Sequence, residues 1–196
     1  MKTIFILAGF NLHSDASSPE FKALRDGLSQ RNYRVVPVPI SWMRTTPMQY
    51  TTKFVDFYRE QKGDYNIVIG NSFGAVVAVL SASELKPDEL FLCSLSPFFK
   101  SDIHDKPDSY FERYFGKKRM RELREIDFSH IADQINQRKI KTTIVYGQKE
   151  HETSPPLVKR ARLANKTIKN SRLIELPNSP HSMRDPIYTK ELLKLL

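Results

Sequence analysis

One cysteine in 196 residues excludes an internal disulfide framework and a thiolate zinc site, and points to a reduced compartment. Seven glycines and twelve prolines are too few for a low-complexity polymer. No apolar run approaches the roughly 20 residues that span a bilayer. The longest run near the start, Ile4 to Ala8, follows a single charged leader, Lys2, and reads as a strand rather than an export signal. These absences predict one globular domain over residues 1–196, with no membrane span and a cytoplasmic location.

Charge is present in excess, with 31 Lys and Arg against 22 Asp and Glu, for a net charge of +9. Its densest stretch is Arg113, Lys117, Lys118, Arg119, Arg121 and Arg124, but Glu112, Glu122 and Glu125 are interleaved, as on a solvated helix face. No nucleic-acid reading motif accompanies these cations, so no specific nucleic-acid partner is expected. Neither a G-x-x-x-x-G-K-[ST] nor a G-x-G-x-x-G loop occurs, and the five histidines form no H-E-x-x-H pair. No cofactor and no metal is expected.

Six short apolar runs read as strands: Thr3 to Ala8, Arg34 to Ile40, Tyr65 to Gly70, Glu89 to Leu95, Thr142 to Tyr146 and Arg172 to Leu176. Pro37 and Pro39 mark the second as an edge. Helical spacing fills the intervals at about 18–31, 47–61, 73–85, 155–168 and 187–196. This alternation predicts an α/β fold with a mostly parallel sheet and helices on both faces. Some forty residues, about 98–139, interrupt it and are too long for a bare loop. They carry Phe98, Phe99, Tyr110, Phe111, Tyr114 and Phe115, which suits a small helical cap over the strand ends or one extra helix on the flank.

The most informative residues are Gly70-Asn71-Ser72-Phe73-Gly74, between the third strand and a helix-forming run. A serine on so tight a strand-to-helix turn is strained, and only small flanking residues let strand and helix approach. Its hydroxyl then projects above the carboxyl ends of the strands at the positive end of a helix, making Ser72 the candidate nucleophile.

Such a serine needs a base. His181, in the loop after the last strand, is better placed than His13, His104, His130 or His151. The loop after the fifth strand offers Glu150 and Glu152 as the orienting acid; Glu150 is the first choice, with Asp102 and Asp105 in reserve. Backbone N–H groups of Phe10 and Phe73 could receive an oxyanion, although the loop Ala8-Gly9-Phe10 also reads as an ordinary strand-ending turn. Cys93, inside an apolar strand, reads as core.

In that order, Gly70-x-Ser72-x-Gly74, then Glu150, then His181, the sequence resembles the α/β-hydrolase family over nearly its whole length. The resemblance implies strand order 2-1-3-4-5-6, with the family's first two strands lacking. It also implies a serine hydrolase that cleaves an ester or related acyl bond of a small-molecule substrate through an acyl-enzyme, as a carboxylesterase or thioesterase does. Two departures stand out: Glu where Asp is commoner, and a first loop without the His-Gly pair often seen there. The alternative is a non-catalytic module of the same fold that binds a protein or an anionic ligand.

Overall fold

The computed structural model describes residues 1–102 and 112–196 in full, and residues 109–111 as backbone. Six strands form one sheet: β1 (Lys2–Leu7), β2 (Arg34–Pro37), β3 (Tyr65–Asn71), β4 (Glu89–Cys93), β5 (Lys141–Gly147) and β6 (Ser171–Leu176). Their order is β2-β1-β3-β4-β5-β6 and all five ladders are parallel, as expected. The sheet therefore reverses its winding beside β1 and β3, the point where ligands bind in open α/β sheets.

The two-residue period of the strands divides the core. In β1, Phe5 and Leu7 face one layer together with Val68, Leu90 and Leu92. Ile4 and Ile6 face the other, with Ile67, Ile69 and Phe91. The first layer is covered by α2 (Pro47–Gln61), α3 (Phe73–Leu85), α6 (Phe128–Gln137) and α8 (Pro155–Thr167); the second by α1 (Lys22–Ser29) and α9 (Pro186–Leu193). The start of α2 is set by Pro47 and by a reciprocal cap in which the Thr46 hydroxyl accepts from Gln49 N and the Gln49 side chain accepts from Thr46 N. Asp185 caps α9 in the same spirit, accepting from Ile187 N at 2.8 Å. No helix among the described residues is long and apolar enough to cross a membrane.

Several elements differ from expectation. The second strand stops at Pro37, because a proline cannot continue donating to the ladder; only Val38 N still reaches Ile6 O, at 3.0 Å. The first helix is preceded by a separate 3-10 turn, Pro19–Phe21. Between β4 and β5 lie α4 (Ser109–Phe115), α5 (Lys117–Glu125) and α6. The last of these buries Phe128, Ile131, Ala132 and Ile135 against α3 and α8, so it is the crossover helix that a parallel β4–β5 pair requires. The departure from strand–helix alternation is thus confined to the stretch before α6.

The cations of α5 are not uniformly solvated either. Arg119 donates to four main-chain oxygens: Trp42 O at 2.6 Å, Met43 O at 3.4 Å, Thr45 O at 2.8 Å and Phe115 O at 2.7 Å. One guanidinium thereby ties α5 and the end of α4 to the loop that follows β2. Its partial burial holds its pKa below the usual arginine value.

Candidate active site

Ser72 is the hinge between β3 and α3. Its φ of 55° and ψ of −117° lie outside the regions ordinary residues favour, and such strain persists only where the surroundings enforce it. The enforcement comes from backbone crowding. A Cβ on Gly70 would sit 2.4 Å from Gly74 O, and one on Gly74 would sit 2.4 Å from Leu7 O. Any side chain at either position would push α3 off β3 and β1. Ser72 N donates to Cys93 O at 2.8 Å, which anchors the corner to β4.

The same crowding aligns the other loops. A Cβ on Gly147 would lie 2.3 Å from Pro180 O, so the turns after β5 and β6 are pressed together. Lys149 N donates to Ser179 O at 3.0 Å and Asn178 N to the Gln148 side chain at 2.9 Å, locking that contact. His181 therefore hangs beside both β3 and the residue that opens the short helix α7 (Glu150–Thr153).

Three side chains converge. His181 Nε2 lies 3.1 Å from Ser72 Oγ, and His181 Nδ1 lies 3.6 Å from Glu150 Oε1. The second distance is longer than a formed hydrogen bond and is of the kind that tightens when substrate binds. The imidazole is 37% exposed whereas the Glu150 carboxylate is fully buried, so the triplet runs from solvent to core. Glu150 Oε1 accepts from Gly147 N at 3.2 Å and from the Ser94 hydroxyl, and Ser94 Oγ in turn lies 3.2 Å from the Tyr188 hydroxyl of α9. Burial holds the Tyr188 phenol well above its ordinary pKa, so it stays a neutral partner. Ser96 Oγ is 3.0 Å from Ser72 Oγ, a second hydroxyl on the same oxygen.

The serine opens into a cleft of about 90 Å³ lined by Gly9, Phe10, Asn11, Ser14 and Arg184 besides Ser72 and His181. Gly9 matters because a Cβ there would come 3.1 Å from Ser72 Cβ. That closeness brings the loop carrying Phe10 against the serine, opposite Phe73 at the first position of α3. The Phe10 ring meets Phe115 at 4.7 Å and Trp42 at 5.7 Å, and Phe73 stacks on Phe115 at 4.2 Å. Buried aromatic side chains from α4 and from the loop after β2 thus back the Phe10 ring, which itself lines the cleft.

The remaining candidates lie elsewhere. Glu152 is exposed, and Asp102 is ion-paired with Arg160. His13 is exposed; His130 pairs with Gln134 at 3.1 Å. His151 Nε2 sits 2.7 Å from Glu175 Oε2, and that contact, with a bond from Tyr146, lowers the Glu175 pKa. His104, Asp105 and the side chains of Tyr110 and Phe111 fall outside the described residues. Cys93 is buried, and burial pushes its thiol up to about 12, which removes it as a nucleophile. Sequence reasoning missed Ser94, Ser96 and Tyr188; the signal was there in two short hydroxyl residues directly after β4, the strand beside the serine.

Separating the histidines is straightforward. His151→Ala should leave ester turnover within about twofold of wild type and stability within about 1 kcal/mol, because it breaks an exposed pair with Glu175 and one edge contact with the Tyr146 ring. Steady-state rates and urea denaturation check both.

An all-parallel sheet of this order, with a strained serine after β3 and an acid and a histidine on the turns after β5 and β6, is the architecture of the α/β-hydrolases. The sequence matches no protein-family model and no curated protein. Solved structures do match over nearly the full chain. Est1E from Butyrivibrio proteoclasticus superposes with a TM-score of 0.76 at 15% identity, covering 99% of this chain and 84% of that one. An esterase from Exiguobacterium antarcticum gives 0.71 at 14% identity, with 100% and 91% covered. The thioesterase domain from the curacin biosynthetic pathway gives 0.64 at 14% identity, again with 100% and 91% covered. The α/β-hydrolase fold is established by these matches.

Proposed function

We propose that the protein is a serine hydrolase acting on an ester or related acyl bond. The observation that carries this reading is the 3.1 Å approach of His181 Nε2 to Ser72 Oγ, with the other ring nitrogen turned toward a buried carboxylate. In neutral His181, Nδ1 carries the proton and faces Glu150, which leaves Nε2 as acceptor for the Ser72 proton. Ser94 and Gly147 N hold Glu150 in place, so the carboxylate stands ready to accept from Nδ1 as the 3.6 Å gap closes.

Ser72 Oγ bonds to the acyl carbon as its proton passes to Nε2, and the carbonyl oxygen becomes an oxyanion received by the amides of Phe10 and Phe73. The amide of Phe73 also lies at the positive end of α3. Collapse breaks the bond to the leaving oxygen or sulfur, which takes the proton from Nε2. Water then attacks the acyl-enzyme as its proton passes to His181 Nε2, and collapse breaks the bond to Ser72 Oγ, which takes that proton back as the acid is released. The esterases and the thioesterase domain of the same fold act as precedents for such an activity, not as its demonstration.

The direct test is covalent. A fluorophosphonate probe is expected to label the wild-type chain at one serine, mapped to Ser72 by peptide mass spectrometry. Failure to label would sink the hydrolase reading and leave a binding module, since an unactivated serine does not react.

A further inference from the structure

Beside the buried aromatic cluster lies a groove of about 400 Å³ between the start of α2 and the start of α5. Arg44 and Thr46 form one wall, and Gly116, Lys117, Lys118 and Arg119 the other. Arg44, Lys117 and Lys118 are exposed and make no ion pair among the described residues. A second groove of about 410 Å³ continues from it through Arg44 and Thr45 and adds Lys53. Glu122, whose charge acts on Arg119, accepts from Met48 N at 3.3 Å. Arg44, Lys117 and Lys118 thus face one concavity with no ion pair of their own among the described residues, beside Arg119, whose guanidinium is taken up by main-chain oxygens. The first turn of α5 contains no acidic residue and its Gly116 cap supplies no side chain, so the helix end adds to the positive field.

This groove neighbours the cleft of the serine through one contact. The Arg119 guanidinium lies 5.5 Å from the centre of the Phe10 ring, and Phe10 lines the cleft above Ser72. One aromatic ring separates the cationic groove from the place where the acyl carbon would react. A substrate with its acyl end at Ser72 could cross Phe10 and Tyr114 and lay an anionic tail among Arg44, Lys117 and Lys118.

We propose that the groove between α2 and α5 binds the phosphate-bearing portion of the leaving group, making the preferred substrate the acyl ester of a soluble phosphorylated thiol or alcohol. This inference rests on the hydrolase reading and narrows it. Clustered lysines and arginines attract phosphate over a range that salt cuts to a few ångströms, whereas the neutral acyl end has no such dependence.

Coenzyme A is the probe for the groove, and the Ser72→Ala chain allows its binding to be measured by calorimetry without turnover. Affinity is expected to fall at least about tenfold on adding K117E and K118E together, and likewise on adding R44E from the opposite wall. The two sets act independently, so a misfolded variant, detected by circular dichroism, does not decide the matter. With the otherwise wild-type enzyme, kcat/KM for acetyl coenzyme A should exceed that for the neutral acetyl thioester of N-acetylcysteamine by about tenfold at low salt. That ratio should collapse in about 0.5 M NaCl and in the charge-reversed chains. Turnover of both thioesters without a phosphate preference refutes the groove alone. Turnover of neither refutes the hydrolase reading and the substrate role with it. Association only with phosphatidylserine vesicles, and none with coenzyme A, overturns the proposal in favour of a membrane surface.

Discussion

Replacing Ser72 by alanine is expected to abolish turnover of p-nitrophenyl acetate, lowering kcat on the order of 10⁴- to 10⁶-fold while the fold survives. Only the hydroxyl is lost. Alanine can occupy the φ of 55° at no greater cost than serine, and Ser72 N still donates to Cys93 O. Unfolding free energy should therefore stay within about 1 kcal/mol of wild type, because the only hydroxyl contacts removed are those to His181 and Ser96. His181→Ala should cost a similar factor, and the double variant scarcely more than either alone, because base and nucleophile act as a unit. Additive losses would mean that the 3.1 Å contact is not used in catalysis. Undiminished turnover by Ser72→Ala would transfer the chemistry to another residue altogether.

The ease of locating this serine from sequence has a physical cause. The strained corner needs small residues at two fixed offsets, and Gly70 and Gly74 stand where a Cβ would strike main-chain oxygens of α3 and β1. Strand identity was equally legible, because the alternation of Ile4 and Ile6 against Phe5 and Leu7 is the pattern a strand buried on both faces must have. Glu150 could be ranked above Glu152 from its distance to Gly147, and the buried position of the one and the exposure of the other follow from their two-residue offset, which puts them on opposite sides of the short helix α7. What stayed hidden depends on contacts remote in sequence. Ser94 meets Glu150 across 56 positions, and nothing periodic marks it. The spacing of Phe128, Ile131, Ala132 and Ile135 is helical, yet only the sheet order shows that α6 is a crossover. Arg119 sits in a run that resembles a solvated face, and three of its four carbonyl partners belong to a loop more than 70 positions upstream.

The largest stability effect is expected at Asp102. The Arg160 side chain is completely buried on α8, with its guanidinium 5.0 Å from the Phe99 ring centre and 4.8 Å from that of Phe128. Its charge is met by the Asp102 carboxylate, and Ser101 Oγ accepts from the same nitrogen at 3.0 Å. The other oxygen of Asp102 accepts from Phe99 N at 3.1 Å, so one carboxylate both neutralises the cation and closes the turn after β4. Asp102→Ala strands a guanidinium in an apolar layer, and about 3–5 kcal/mol of unfolding free energy should be lost, read from urea denaturation with the slope compared. Removing the cation as well reverses the sign of the argument. In Asp102→Ala with Arg160→Met no charge is buried, the flexible thioether fills the space between the two rings, and most of the loss should be recovered. The turn that Asp102 closes leads directly from Phe98, which stacks on Phe73, so the single variant should also lose esterase activity in step with stability. A single variant within about 1 kcal/mol of wild type would mean that water reaches Arg160 in solution, and the packing of α8 against the turn after β4 would then need another explanation.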